Sequence, residues 1–346
     1  ERAVRVVGGR TSQDGDDATP SRQGRRAKEK KNVESKEEKD DSTHEDQCSK
    51  EEGKNRSVKS FRSVIPGDLN RSFSNEVNGS MVDSSAVPTA ILPALTEVEK
   101  SVALLRCGNV TGTGFLLTKD KLITCHHVHN QIVAQRHPDA KILVHFGDPQ
   151  QRQILQAEVD EEKRPIYGIN LDYIIYWIKY TPAHLKPLGH LVRSSLPSSG
   201  RPVILIGHPE SKSKVFEICP IKERWVETLV ERTKDAHEYC QQHPQECKLS
   251  DENKSCVHSY EDRVLESYHR HQLAYDTNFL EGSSGSPVLS VDGYIVAMHT
   301  RGYPFSRGFE RVSLMEFGTT FASIYQDVKD RYSSWLANLL FPNINS

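Results

Sequence analysis

Gly282-Ser283-Ser284-Gly285-Ser286-Pro287, followed by Val288-Leu289, has the residue types and spacing that could make a hydroxyl reactive. A serine hydroxyl is a weak nucleophile until a neighbouring base takes its proton. A tight turn can also aim two backbone N–H groups at one point, the serine's own and that of the residue two before it. Together they can hold the oxygen of an attacked carbonyl. Glycine at the earlier position removes the Cβ that would bar the approach. The two donors would be Gly282 and Ser284, with Ser284 as the candidate nucleophile. Taken alone, the string also fits a Ser/Gly loop between strands.

Two further segments weigh against a plain loop. Thr113–Thr118, the turn Lys119-Asp120-Lys121 and the run Leu122-Ile123-Thr124-Cys125-His126-His127-Val128 read as a hairpin whose second strand, Lys121–His127, ends on a histidine. The T-x-x-H-V spacing selects His127 and leaves His126 to face solvent or to pack. Asn170-Leu171-Asp172 precedes the β-branched and aromatic run Tyr173–Ile178. Asp172 could accept the imidazole Nδ1–H and fix its tautomer, although a solvated aspartate at a strand edge has the same local sequence. The chain order His127, Asp172, Ser284 is that of chymotrypsin-type hydrolases, not of subtilisins or α/β-hydrolases. Together the segments predict a serine endopeptidase that works through an acyl-enzyme, with no cofactor and no metal ion.

Such a site needs a rigid frame. Ser101–Cys107, Gly112–Thr118, Lys141–Phe146, Ile154–Val159 and Tyr173–Tyr180 read as further strands of a first barrel at about 91–185. Val203–Gly207, Lys214–Ile221, Gln272–Asp276, Pro287–Val291 and Tyr294–Thr300 form a second at about 195–310, interrupted by an insertion at 225–271. The expected class is mainly β, a chymotrypsin-like double antiparallel β-barrel with the site in the cleft. Phe317, Phe321, Ile324, Val328, Tyr332 and Trp335 recur at three and four residues, which predicts a C-terminal helix over 315–340 packed on the second barrel.

The chain has 346 residues, 36% hydrophobic and 27% charged, with a net charge of −2. That balance argues against bulk attraction to nucleic acid. No run of 18 apolar residues exists, so no transmembrane helix is expected. The first residue is Glu1, which leaves room for a processed terminus and a removed leader. Residues 1–90 read as a disordered charged tail. Its basic cluster, Arg22 to Lys31, could contact DNA or chromatin or serve as a nuclear signal, and equally could be a solvated face, since Glu34 to Asp41 is mainly acidic.

Seven cysteines are present, and Val128 stands where secreted enzymes of this type place a disulfide cysteine. The expectation is a reducing, intracellular setting, with Cys125 a buried filler. In the insertion, His237, Cys240, His243, Cys247, Cys256 and His258 have spacings compatible with zinc, but no C-x-x-C pair occurs. A metal-free lid or regulatory loop is the preferred reading, and restraint of the site is expected from this insertion.

The segment Tyr275-Asp276-Thr277-Asn278-Phe279-Leu280-Glu281-Gly282-Ser283-Ser284-Gly285-Ser286-Pro287-Val288, with Val296-Ala297-Met298-His299-Thr300-Arg301-Gly302-Tyr303, resembles the nuclear trypsin-like proteases called "family with sequence similarity 111". Met315-Glu316-Phe317-Gly318 is similar to their C-terminal segment, and the resemblance covers roughly residues 92–340. It implies the triad His127, Asp172 and Ser284, self-cleavage, and work in the nucleus, with the cytoplasm left open, on chromatin- and replication-associated proteins. Residues 1–90 lack a Q-x-x-hydrophobic-x-x-aromatic-aromatic box for a replication clamp.

Specificity is divided. His299 is placed like the histidine that reads Glu or Gln in bacterial glutamyl and picornaviral proteases, but Phe279 stands where those enzymes have threonine. Asn278 at the pocket base offers no counter-charge for Lys or Arg. Asn278, Phe279, His299, Thr300 and Gly302 are therefore the candidate S1 residues, and the resemblance favours a large aromatic or hydrophobic P1. Protein substrates are the expected partners, a homo-oligomer stays open, and no membrane is expected. The competing reading is a catalytically silent scaffold that binds chromatin or replication proteins. A secreted zymogen is disfavoured, because Arg5-Val6-Val7-Gly8-Gly9 lies far upstream of the first barrel.

Overall fold

Short runs of valine, leucine and isoleucine build two antiparallel sheets. The computed structural model describes residues 87–147, 155–198, 200–245, 271–279, 281–307 and 310–346. The expectations for 1–86 and for Cys247, Cys256 and His258 lie outside the described residues.

The first sheet holds β1 (Val102–Cys107), β2 (Val110–Thr118), β3 (Lys121–Thr124), β4 (Leu143–Phe146), β5 (Leu155–Glu158), β6 (Ile166–Gly168) and β7 (Tyr173–Trp177). Its order is β5-β4-β1-β2-β3-β7-β6. The β3–β7 register sets Thr124 opposite Ile174, so the chain leaving β3 emerges beside the chain entering β7. That register brings the His127 and Asp172 segments together. The second sheet holds β8 (Val203–Gly207), β9 (Val215–Cys219), β10 (Gln272–Tyr275), β11 (Pro287–Ser290), β12 (Ile295–Arg307) and β13 (Glu310–Thr320), in the order β10-β13-β12-β11-β8-β9. An isolated bridge between Ile221 and Tyr275 draws its two edges toward each other. This is the mainly β, chymotrypsin-like double-barrel architecture that the sequence predicts.

Five helices flank the sheets among the described residues: α1 (Leu92–Lys100), α2 (His126–Gln135), α3 (Trp225–Gln242), α4 (Phe321–Arg331) and α5 (Ser334–Leu340). None of the described helices is long and apolar enough to cross a membrane. Helix α1 carries a proline in its first turn, where the missing N–H costs nothing, and buries Leu95 and Val98. Neither it nor β6 was among the predicted elements. Helix α3 lays Leu229, Ala236 and Cys240 against Ala274, Phe305 and Phe317 of the second sheet.

Two expectations need correction. The histidine strand predicted to run to His127 stops at Thr124, and His127 lies in the first turn of α2. The Thr124 hydroxyl donates to the Thr113 carbonyl at 2.6 Å, which anchors the end of β3 before the chain turns into the helix. The predicted C-terminal helix at 315–340 is a strand to Thr320 and then two helices. Residues 314–320 are buried throughout between β10 and β12, so a helical spacing of Phe317 and Phe321 carries no amphipathic stripe there. Ser333 caps α5 by accepting the Leu336 N–H at 3.1 Å, which separates it from α4. Trp335, counted in the apolar stripe, is 73% exposed.

Candidate active site

Loop and helix ends converge where the two sheets meet. From the first turn of α2, His127 Nδ1 lies 2.7 Å from Asp172 Oδ2, and Nε2 lies 2.9 Å from Ser284 Oγ. The His127 backbone N–H donates to Asp172 Oδ1 at 2.8 Å, so both carboxylate oxygens engage the same residue. Asp172 is buried and holds a left-handed backbone, φ 53°, just before β7. Aspartate tolerates that region better than most side chains. Its carbonyl also accepts the His126 N–H at 3.2 Å, which fixes the entry to α2. His126 itself turns away and stacks on Tyr167, with ring centroids 5.4 Å apart.

The Ser284 turn is bound to both sheets. Its carbonyl accepts the Thr113 N–H at 2.9 Å, and the Gly285 N–H donates to the His299 carbonyl at 2.8 Å. Gly282 has φ 89°, a conformation open to glycine, and a Cβ there would lie 2.8 Å from the His208 carbonyl. The preceding carbonyl, of Glu281, accepts the Glu210 N–H at 2.6 Å. In a trans peptide the C=O and N–H point opposite ways, so the Gly282 N–H is turned away from the 209–211 turn.

Not all of the expected S1 residues present a polar group to a ligand. Asn278 donates its side-chain amide to Glu217 at 2.8 Å, and the Thr277 hydroxyl is also bonded to Glu217. Phe279 and Thr300 are buried, and the Thr300 hydroxyl donates to the Phe317 carbonyl at 3.3 Å. His299 is buried with Nδ1 2.8 Å from the Tyr275 hydroxyl, and its Nε2 faces Glu316 Oε2 at 3.7 Å. Burial, with the charge of His127 added, lowers the His299 pKa to about 3. Gly302 pairs with Glu316 across β12 and β13. Sequence reasoning missed Glu316, Glu217 and the role of Tyr275. The signal for Glu316 was a lone acid inside the apolar run Leu314-Met315-Glu316-Phe317, hidden by its reading as helix.

Among the described residues, the one group of three metal-capable side chains within mutual reach is Cys125, His127 and Asp172. Burial and the Asp172 charge push the Cys125 thiol well above its ordinary pKa, which keeps it protonated and a poor ligand. The thiol donates to the His299 carbonyl at 3.2 Å. His237, Cys240 and His243 do not form such a group.

The family described as trypsin-like peptidase domain matches residues 112–298. The chain is 30% identical over 272 residues to the human serine protease FAM111B, covering 74% of this chain and 36% of that protein. It is 27% identical over 279 residues to mouse serine protease FAM111A, covering 74% and 43%. The chain thus spans less than half the length of these relatives. Among solved structures, the inactive form of the Rv3671c protease of M. tuberculosis is similar at 17% identity over 72% of this chain and 98% of its own, with a TM-score of 0.43.

Proposed function

This chain belongs to the family of trypsin-like peptidase domains, and we propose that it is a serine endopeptidase with Ser284 as nucleophile, His127 as general base and Asp172 as the orienting acid. The observation that carries this reading is the continuous relay from Asp172 through His127 to Ser284, with links of 2.7 and 2.9 Å.

His127 Nε2 takes the Ser284 proton as Oγ attacks the scissile carbonyl carbon. The carbonyl oxygen becomes an oxyanion held by the Gly282 and Ser284 N–H groups. Collapse breaks the C–N bond, and the leaving amine takes the proton from His127. Water then repeats the attack on the acyl-enzyme, again through His127, and frees Ser284. Asp172, which accepts the Nδ1–H, stabilises the imidazolium formed in each half. The S1 pocket is assigned to Asn278, Phe279, His299, Thr300 and Gly302, with a large aromatic or hydrophobic P1. Support comes from the absence of an acid at Asn278 and from the apolar ring of Phe279. Self-cleavage, and nuclear protein substrates tied to chromatin or replication, are proposed on the likeness to the FAM111 proteases.

Ser284→Ala tests the assignment. Peptide cleavage is expected to fall by about 10⁴-fold or more while the melting temperature stays near that of the wild type. A fluorophosphonate reagent should label Ser284 in the wild type alone. Cleavage retained in the alanine variant would overturn the reading.

A further inference from the structure

A glycine that supplies half of an oxyanion hole does not hold its own shape. Gly282 has φ 89°, and without a Cβ nothing intrinsic keeps its flanking peptide planes from rotating. Its neighbours supply the restraint. On one side of Gly282 the Glu281 carbonyl accepts the Glu210 N–H at 2.6 Å. On the other side the Gly282 carbonyl accepts the Thr113 hydroxyl at 2.9 Å. The same hydroxyl accepts the His208 N–H at 3.1 Å, at the start of the turn that carries Glu210. Thr113 is fully buried on β2, and its own N–H donates to the Ser284 carbonyl at 2.9 Å.

The turn that carries Glu210 needs such a hold. Glu210 and Ser211 both have left-handed backbone, φ 52° and 59°, a region that residues with a Cβ visit rarely and seldom in succession. The Ser211 N–H returns to the His208 carbonyl at 3.1 Å, and the Ser211 hydroxyl is bonded to that of Thr111 on β2. The His208 ring, through Nδ1, donates to the Lys212 carbonyl at 3.0 Å. His208 is thus the root of the turn, and Thr113 grips it by its N–H. We propose that Thr113 is a positioning residue of the oxyanion hole. Its hydroxyl ties the turn at His208 to the Gly282 carbonyl and so keeps the Gly282 N–H aimed at the developing oxyanion. The inference rests on the peptidase reading of Ser284 and adds the side chain that sets one of its oxyanion donors.

The chemistry asks for a hydroxyl at this position. A hydroxyl has one proton to give and lone pairs to receive, so it can donate to the Gly282 carbonyl and accept from the His208 N–H at once. Valine has nearly the same shape and can do neither. It would leave the Gly282 carbonyl and the buried His208 N–H facing methyl groups, a cost that rotation about Gly282 relieves. That rotation swings the Gly282 N–H off its target. Substrate binds before any oxyanion exists, so the loss of aim falls on kcat rather than on KM. Thr113 acts through Gly282 and is not itself a catalytic residue.

The test uses the full 346-residue chain, a fluorogenic peptide chosen from a library that varies P1, and a trifluoromethyl ketone built on the same peptide. Ser284 Oγ adds to the ketone carbon, His127 takes the proton, and the former carbonyl oxygen becomes an oxyanion in the hole, with no leaving group. Thr113→Val is expected to lower kcat by about ten- to a hundredfold with KM within about twofold. The ketone should lose affinity by the same factor. Thr113→Ser, which keeps the hydroxyl, should return kcat to within about threefold of the wild type. Should Thr113→Val not fold, Thr113→Ala carries the same comparison without pressing a methyl group against the Gly282 carbonyl. A kcat unchanged by loss of the hydroxyl, a loss expressed in KM, an equal loss in Thr113→Ser, or a ketone affinity that does not follow kcat would each overturn the inference. Fluorophosphonate labelling separates the two levels. Any of those results in a protein whose wild type labels at Ser284 and cleaves overturns this inference alone. A wild type that neither labels nor cleaves overturns the peptidase reading and takes this one with it.

Discussion

Asp172 combines three demands in one residue: a left-handed backbone, a buried carboxylate, and two bonds to His127. Asn at this position keeps the shape and still accepts the backbone N–H, but its amide can also donate to Nδ1 and so favour the wrong tautomer. Asp172→Asn is therefore expected to lower kcat by about 10⁴-fold with KM and thermal stability little changed. Steady-state kinetics with a peptide substrate checks this, and a loss below tenfold would remove Asp172 from its proposed role. At this scale the sequence was most legible where chemistry is local. The T-x-x-H-V spacing separated His127 from His126 because the two side chains of a first helical turn diverge, one to Asp172 and Ser284 and the other onto Tyr167. Glu316 was not legible, because its proximity to His299 depends on the pairing of β12 with β13.

The strands were readable because most are short apolar runs bounded by turns, and the hairpin pairs such as β1–β2 and β2–β3 follow from short connections, whereas the β1–β4, β3–β7, β8–β11 and β10–β13 pairs join strands far apart in the sequence. The C-terminal misreading has a physical cause. A strand buried on both faces has no period-two alternation to distinguish it from helix, and Phe317 and Phe321 supply a misleading four-residue spacing. Within the described part of the insertion, α3 is fastened to the segment that leads to Asn278. Arg232 of α3 donates to both carboxylate oxygens of Asp276 at 2.6 and 3.0 Å, and Lys222 lies 2.8 Å from the same group. Burial opposes the Asp276 charge, yet Arg232 and Lys222 outweigh it and hold the carboxyl below its ordinary pKa. Thr277 and Asn278 follow directly and are fastened to Glu217. Arg232→Met is expected to cost about 2 kcal/mol in stability, since it leaves Asp276 with Lys222 alone. It should raise KM severalfold with a smaller effect on kcat, because the loop leading to the proposed S1 base loses a tether while the His127–Ser284 pair is untouched. An effect on kcat alone would show that α3 acts on the nucleophile rather than on substrate binding.

Across the whole molecule, the same buried histidine that touches the site also ties its stability to pH. His299 is surrounded by the Tyr275 hydroxyl from β10, Glu316 from β13, Cys125 ahead of α2 and, further off, the imidazole of His127. Its pKa falls from the ordinary 6.5 to about 3, first through burial. Below pH 6.5 the unfolded chain therefore takes a proton that the folded chain refuses, so stability rises with pH through this window. The contribution is complete above pH 6.5 and is lost as pH falls toward 3, at up to about 1.4 kcal/mol per pH unit. His299→Gln retains an acceptor for the Tyr275 hydroxyl but cannot titrate. In a Ser284→Ala background, which removes self-cleavage, urea unfolding at pH 7.5, 5.5 and 4.5 should show the wild-type advantage over His299→Gln shrinking as pH falls. Growth of that advantage in acid would mean that Glu316 holds His299 as an imidazolium and that its attraction outweighs burial. The neutral imidazole would then be replaced by a buried ion pair between His299 and Glu316.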